Sequence, residues 1–368
     1  MPKQVDSIEI AEIERAIRKL IANLVGLKDS SGKFLLKLDD GRVIDTKGWN
    51  DWEWTHGIGL YGIYKFYELT NDLTCRQLME DWFRARFKTG TPTKNVNTMA
   101  PMLTLAYLYE ESRNKTYLPY LDTWAEWVMN DMPRTQDGGL QHIVFNAENK
   151  QQLWDDTLMM SVLPLAKIGL LLDRPHYIDE ARHQFLIHIK YLFDRKSGLW
   201  FHGWTFEGRH NFAEALWARG NCWVTIAIPE LIEMLDLKDG DPLRRFLLET
   251  LEAQVGALAK YQDESGLWHT LINDPTSYVE ASATAGFAYG ILKSVRKGYL
   301  PKSYREVGVQ ALRGVLTNIS ADGELEHVSF GTAMGSDLDF YKKIPLTSMP
   351  YGQALAILCL SEYLRAYI

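Results

Sequence analysis

Four times along the chain a Ser or Asp precedes Gly, an apolar residue follows, and a His closes the segment. The copies are Asp137-Gly-Gly-Leu-Gln-His142, Ser197-Gly-Leu-Trp-Phe-His202, Ser265-Gly-Leu-Trp-His269 and Asp322-Gly-Glu-Leu-Glu-His327. Their starts lie 60, 68 and 57 residues apart, and a fainter copy, Ser31-Gly-Lys-Phe34, lies 106 residues upstream of the first, about two periods with one copy missing. A period near 60 holds two helices and a short hairpin loop, and repeats of that size mean stacked helical hairpins. Six such units fit 368 residues.

The segments between the turns are helical in pattern. Ile13, Ile17, Leu20, Ile21 and Leu24 form one apolar stripe, and eleven further amphipathic stretches follow, near 52–71, 73–88, 96–112, 116–131, 154–172, 177–194, 215–235, 242–262, 280–296, 302–318 and 348–367. Strand-like runs are short, as in Leu140-Gln-His-Ile-Val-Phe145. An open solenoid needs polar caps at both ends, whereas the stretch Tyr351 to Ile368 is apolar to its final residue. That suits docking against the first repeat. The expected fold is all-α, an (α/α)6 barrel of six hairpins closed into a toroid, with residues 1–368 as one catalytic domain.

Composition narrows the class of function. The formal net charge is −7 and no Lys/Arg cluster stands out, so neither nucleic acid nor a membrane surface is an expected partner. No run of about 18 apolar residues occurs, which predicts no membrane span. The stretch Met1-Pro-Lys-Gln-Val-Asp-Ser7 has no apolar core of a secretory signal. Cys75, Cys222 and Cys359 are odd in number and lack CxxC spacing, as expected of reduced thiols in a cytoplasmic protein. With 12 Trp, 18 Tyr and 14 Phe, the chain is rich in rings that stack on sugars. A monomer or weak homo-oligomer is expected.

In a ring of hairpins one set of loops crowds one mouth. His142, His202, His269 and His327 hold equivalent loop positions, each a turn cap or part of a converging rim. Ring geometry holding them apart argues against a metal site. The densest constellation is Gln152-Leu-Trp154-Asp155-Asp156-Thr157-Leu-Met-Met160. Successive helical residues diverge by about 100°, so one aspartate can cap the helix while the other points inward, although both serving as caps remains open. Trp154 and Met160 would desolvate an inward Asp and raise its pKa. In Leu216-Trp217-Ala-Arg219-Gly-Asn-Cys222-Trp223 two indoles bracket an arginine. Trp217 and Trp223 suit stacking on a sugar ring, and the Arg219 fork suits a carboxylate. Glu280 and Ser282, in Ser277-Tyr-Val-Glu280-Ala-Ser282-Ala-Thr284-Ala, are placed at the mouth, and the alanines in helix packing.

These segments resemble glycoside hydrolase family 105, the unsaturated rhamnogalacturonyl hydrolases. Trp-Asp-Asp-Thr-Leu-Met-Met with the preceding Gly-Gly-Leu-Gln-His is similar to that family's catalytic segment, and Leu216–Trp223 to its tryptophan-arginine-glycine-asparagine-glycine-tryptophan box, with Cys222 in place of the second glycine. Further matches are Trp54-Thr-His56-Gly-Ile-Gly-Leu-Tyr-Gly, Phe201-His202-Gly-Trp204, Tyr278-Val-Glu-Ala-Ser-Ala-Thr and Tyr351-Gly-Gln, in order over about residues 50 to 355. The resemblance implies an (α/α)6 barrel and a cofactor-free hydration of a vinyl ether. An Asp protonates C4 of a Δ4,5-unsaturated uronic acid, water adds at C5, and the hemiketal opens to release the saccharide. It places that Asp at Asp156 and adds Trp54, His56, His142 and His202 to the substrate-binding set. Asp155 falls where the family often has an apolar residue, which suggests a cap or a group behind Asp156. Asn97, in Asn95-Val-Asn97-Thr-Met-Ala-Pro, replaces the family's second carboxylate; it can position water or a hydroxyl but cannot share a proton. Other readings are a sister hydrolase taking unsaturated glucuronyl residues, a sugar 2-epimerase using paired histidines, and a non-enzymatic scaffold, against which the Trp-Arg-Trp cluster argues.

Overall fold

At each copy of the recurring turn the glycine has a left-handed backbone, with φ of 83° at Gly138, 80° at Gly198, 83° at Gly266 and 79° at Gly323. Glycine takes that conformation without a Cβ penalty, so the turn retains it. The turn then closes on itself. Gly198 N–H donates to the Asp194 carbonyl at 2.8 Å and Asp194 N–H to the Leu199 carbonyl at 2.9 Å; the same pair of bonds links Asp263, Gly266 and Leu267.

The computed structural model describes residues 4–6, 8–38 and 41–367. Most of the stretch read for a leader, and the terminal Ile368, lie outside the described residues. Among the described residues twelve helices build two layers: α1 Ile10–Gly26, α2 Trp54–Thr70, α3 Leu73–Thr89, α4 Pro101–Ser112, α5 Leu118–Glu126, α6 Leu163–Leu171, α7 Pro175–Leu192, α8 Ala218–Met234, α9 Pro242–Tyr261, α10 Ala281–Arg296, α11 Arg305–Thr317 and α12 Pro350–Arg365. The even-numbered helices pack in sequence, and α12 returns to pack on α2, closing an inner ring. The odd-numbered helices lie outside it. The chain is an (α/α)6 barrel.

Sequence explains the two layers. Inner helices are buried on all sides, as in α12 from Pro350 to Leu364, whereas α1 buries only the stripe Ile13, Ile17, Leu20, Ile21 and Leu24. The closing seam is tight: a β-carbon on Gly62 would stand 2.9 Å from the Ala354 Cα. Each turn copy follows an outer helix and leads to the next inner one, and the missing copy falls between α3 and α4. The strand-like run 140–145 forms only isolated bridges, at Leu140 and Val144. The ladder that matters lies just beyond it, where Gln152–Trp154 pairs antiparallel with Gly203–Thr205.

The N-terminal ends of the inner helices share one mouth. At the other end a cavity of about 300 Å³ is lined by Lys65, Lys167, Glu230, Lys293, Arg296 and Glu362, among others. Lys293 Nζ lies 2.6 Å from Glu233 Oε2, and this ion-pair network plugs the barrel. The three cysteines are buried and free, and among the described residues no helix is long and apolar enough to cross a membrane.

Candidate active site

The ladder between Gln152–Trp154 and Gly203–Thr205 carries one turn histidine to the aspartate pair. Asp155 N–H donates to the His202 carbonyl at 3.1 Å, and the chain then enters a π-helical turn, Leu158–Val162. Asp156 is thus held at the entrance of the inner layer, with Oδ2 3.4 Å from His202 Nε2. His202 Nδ1 is hydrogen-bonded to the Tyr341 hydroxyl at 2.8 Å. His142 stacks on Trp154, centroids 4.1 Å apart and planes 10° from parallel, and its Nδ1 is hydrogen-bonded to Thr157 Oγ1 at 2.8 Å. Burial pushes the His142 imidazole down to about 3, so it is neutral.

Two of the four turn histidines therefore flank one aspartate, and the other two do not converge. His269 Nδ1 donates to the Ser277 carbonyl at 2.5 Å, and the exposed His327 bonds Asn318 Oδ1 at 2.7 Å. Each braces its own loop. The ring does not hold His142 and His202 apart, so that reason for rejecting a metal fails. Asp155, Asp156 and His202 offer atoms within 4.8 Å of one another.

Asp155 caps no helix. It is fully buried behind Asp156, and among the described residues neither of its oxygens has a hydrogen-bond partner as a carboxylate. An ionised carboxyl there would be costly, and a protonated one can donate to Asp156. Burial pushes the Asp155 carboxyl well above the usual range, and the Asp156 charge adds to the rise. Burial also presses Asp156 upward, but His202 beside it and the hydrogen bond from Asp155 outweigh it and hold Asp156 below the usual range. The raised carboxyl is Asp155, not Asp156 as the flanking Trp154 and Met160 suggested. The two titrate as a pair sharing one proton.

A cavity of about 270 Å³ opens over Asp156, with Trp54, Asn97, His142, Trp154, Trp217 and Arg219 in its walls. Trp54 is fixed by stacking on Tyr351, centroids 4.5 Å apart. Asn97 sits in the first turn of a short helix, Val96–Met99, capped by Asn95.

Five expected contact residues lie outside that wall. His56 is buried with both ring nitrogens engaged: Nδ1 accepts the Glu53 N–H at 3.0 Å and Nε2 donates to the Gly48 carbonyl at 2.7 Å. It secures the start of α2. Trp223 is fully buried, edge-on to Trp54 at 6.0 Å, so it supports that ring from the core. Glu280 caps α10, accepting from Ser282 N–H at 3.1 Å, and reaches Ser329 N–H at 2.9 Å. Ser282 Oγ donates to the same carboxylate. His202 acts through Asp156.

Arg219 lines the cavity, but its fork is committed. Nη1 donates to the Ser329 carbonyl at 2.7 Å and Nη2 to the Phe330 carbonyl at 2.8 Å. The guanidinium lies 4.4 Å from the Trp217 ring and 5.1 Å from Tyr351. It holds the loop that forms one wall, instead of presenting both arms to a ligand. Sequence reasoning passed over Tyr341, the Phe330–Ala333 wall and Glu53, which also lines the cavity. For Glu53 the one available signal was its place directly before the Trp54 motif.

The profile of Glycosyl Hydrolase Family 88 matches residues 27–367. Unsaturated rhamnogalacturonyl hydrolase YesR of Bacillus subtilis strain 168 is 31% identical over 317 residues, 85% of this chain and 90% of that protein. A possible member of the GH105 family from Salmonella enterica serovar Paratyphi A, known from a crystal structure, is 62% identical with a TM-score of 0.98, over 100% of this chain and 97% of that one. Another possible GH105 member, from Klebsiella pneumoniae, is 61% identical with a TM-score of 0.97, over 100% of this chain and 96% of that one. The chain belongs to Glycosyl Hydrolase Family 88 and is a glycosidase, and the family-105 likeness of its motifs is the likeness that these solved structures carry.

Proposed function

We propose that the protein removes the Δ4,5-unsaturated galacturonyl residue from rhamnogalacturonan-derived oligosaccharides by hydrating its vinyl ether. The observation that carries this reading is the Asp155–Asp156 pair, with Asp155 fully buried and Asp156 facing a cavity walled by Trp54, Trp154 and Trp217. Asp156 delivers a proton to C4. Water adds at C5 and returns a proton to Asp156, and the resulting hemiketal opens to free the saccharide. One carboxylate thus serves as acid and then base. Hydration of a vinyl ether needs no nucleophile at the anomeric carbon, so the two-carboxylate spacing of ordinary glycosidases does not apply.

Six inner-helix N-termini surround the mouth, and their partial positive charge favours an anionic sugar. His202 orients Asp156, with Tyr341 behind it. Trp54, Trp154 and Trp217 offer aromatic faces to the sugar, and Asn97 and His142 are the neutral polar contacts. The enzyme works as a single catalytic domain in the cytoplasm, a monomer or weak homo-oligomer acting on a small oligosaccharide without nucleic acid or membrane. The test is a panel of lyase-generated disaccharides followed by loss of the double-bond absorbance. Turnover of galacturonyl–rhamnose supports the reading, turnover of unsaturated glucuronyl disaccharides alone moves it to the sister activity, and unchanged absorbance with every member overturns it.

A further inference from the structure

Glu53 directly precedes α2 and has an extended backbone, and its Oε2 accepts the Trp54 N–H at 2.7 Å. That contact uses one oxygen to cap the helix. The other, Oε1, makes no hydrogen bond of good geometry among the described residues, the Asn97 side chain reaching the carboxyl only loosely, although the side chain is only 1% exposed and lines the cavity over Asp156. A cap alone does not account for this. Helix caps are usually short side chains in water, and a buried carboxyl oxygen left without a partner is costly.

The charge around the cavity decides the protonation state that can serve it. Its charged or acidic lining residues are Glu53, Asp156 and Arg219, and both terminal nitrogens of Arg219 are engaged by backbone carbonyls. A uronate brought in beside an ionised Asp156 would be repelled by a second carboxylate, whereas a neutral acid offers it a donor. The Asn97 amide lies beside the Glu53 carboxyl on the same wall.

We propose that Glu53 contacts the sugar as a neutral carboxylic acid, donating through Oε1, beside the Asn97 amide, to an oxygen of the uronic ring. This rests on the uronyl reading above and adds a substrate-positioning residue to it. Burial pushes the Glu53 carboxyl up to about 8, with the Trp54 N–H and Asn97 opposing the rise and Asp51 adding to it. The other titratable and charged groups around it are His56 beneath, with Asp45 and Arg86 beyond, and Asp156, Arg219 and His142 across the cavity. Above about pH 8 the donor becomes a carboxylate facing an anion, and affinity falls.

The test is KM and kcat for the unsaturated galacturonyl–rhamnose disaccharide between about pH 6 and pH 9, for wild type, Glu53→Gln and Asn97→Ala. Wild-type KM is expected to rise about tenfold across the ionisation of Glu53, the size of one lost hydrogen bond to a charged group. Glu53→Gln should keep a low KM that no longer changes there, because the amide donates without titrating. Asn97→Ala, which leaves the cap intact, should raise KM throughout. A wild-type KM that is flat or falls above about pH 8 overturns the proposal, as does a Glu53→Gln enzyme that follows the wild-type profile. If Glu53→Gln does not fold, the wild-type profile and Asn97→Ala still decide. If wild type does not consume the disaccharide, the functional reading falls. Tryptophan quenching by galacturonate over the same pH range then tests Glu53 alone, with weakening above about pH 8 supporting its role and a flat response contradicting it.

Discussion

Gly220 lies so close to the Asp155 carboxyl that a β-carbon at position 220 would stand 2.4 Å from Oδ2 and 2.7 Å from Oδ1. The glycine of the Arg-Gly-Asn segment is the space in which the buried acid sits. Its neighbour Asn221 fixes the depth of α8, with Oδ1 accepting the Trp200 N–H at 2.8 Å and Nδ2 donating to the Trp217 carbonyl at 2.9 Å. Gly220→Ala should force Asp155 against Asp156. Overpacking of this kind costs about 1–3 kcal/mol, a loss visible in thermal unfolding, and kcat should fall further than stability alone explains. Wild-type kcat in a stable Gly220→Ala protein would separate Asp155 from the chemistry.

Asp156→Asn keeps the shape of the side chain and removes its capacity to take up and deliver a proton. Loss of a general acid–base typically costs about 10²–10⁴-fold in rate, so kcat should fall by that factor while the disaccharide still binds. A rate like that of wild type would take the role away from Asp156.

Arg219→Lys retains the charge but cannot reach the Ser329 and Phe330 carbonyls with two planar arms. The wall at Phe330–Ala333 should loosen. The expected result is a raised KM together with a lower unfolding temperature, and unchanged values for both would show that the wall stands without the fork.

Stability should respond to pH from both sides. Glu53 is raised from its ordinary value of 4.5 to about 8, so the folded state holds this proton more tightly than the unfolded chain. Its contribution is full below 4.5 and is lost as pH rises through about 8. His142 is lowered from 6.5 to about 3; its contribution is present above 6.5 and is lost as pH falls toward 3. Melting temperatures of Glu53→Gln should therefore decline less than those of wild type between about pH 5 and pH 8. An identical decline would place the titrating group elsewhere.

The ring was legible because its turns repeat a local requirement, a left-handed glycine, at intervals that only paired helices fill. The place of Asp156 over the cavity was legible because Trp154 and Met160, which line the same cavity, are its sequence neighbours. Partners brought from afar were not. Arg219 looked free for a ligand because its acceptors stand at positions 329 and 330, more than a hundred residues later. Glu280 looked like a mouth residue for the same reason, since its bond to position 329 crosses a loop without a motif, and Ser282 is tied to that same carboxylate. His202 and His269 share one sequence pattern, and only the ladder to Gln152–Trp154 takes the former to the aspartates. Glu53 next to a tryptophan reads as an ordinary solvated acid until the fold buries it.

The central claim is that a proton from the Asp155–Asp156 pair forms a C–H bond at C4 of an unsaturated uronate. It is tested most directly by running the reaction in D₂O with the unsaturated galacturonyl–rhamnose disaccharide and reading the released keto-uronate by NMR at early times. The account predicts one deuteron placed stereospecifically at C4 as the double-bond absorbance disappears, and no cleavage of the saturated disaccharide. Release of the saccharide with no deuterium at C4, or cleavage of the saturated analogue at a similar rate, would contradict it.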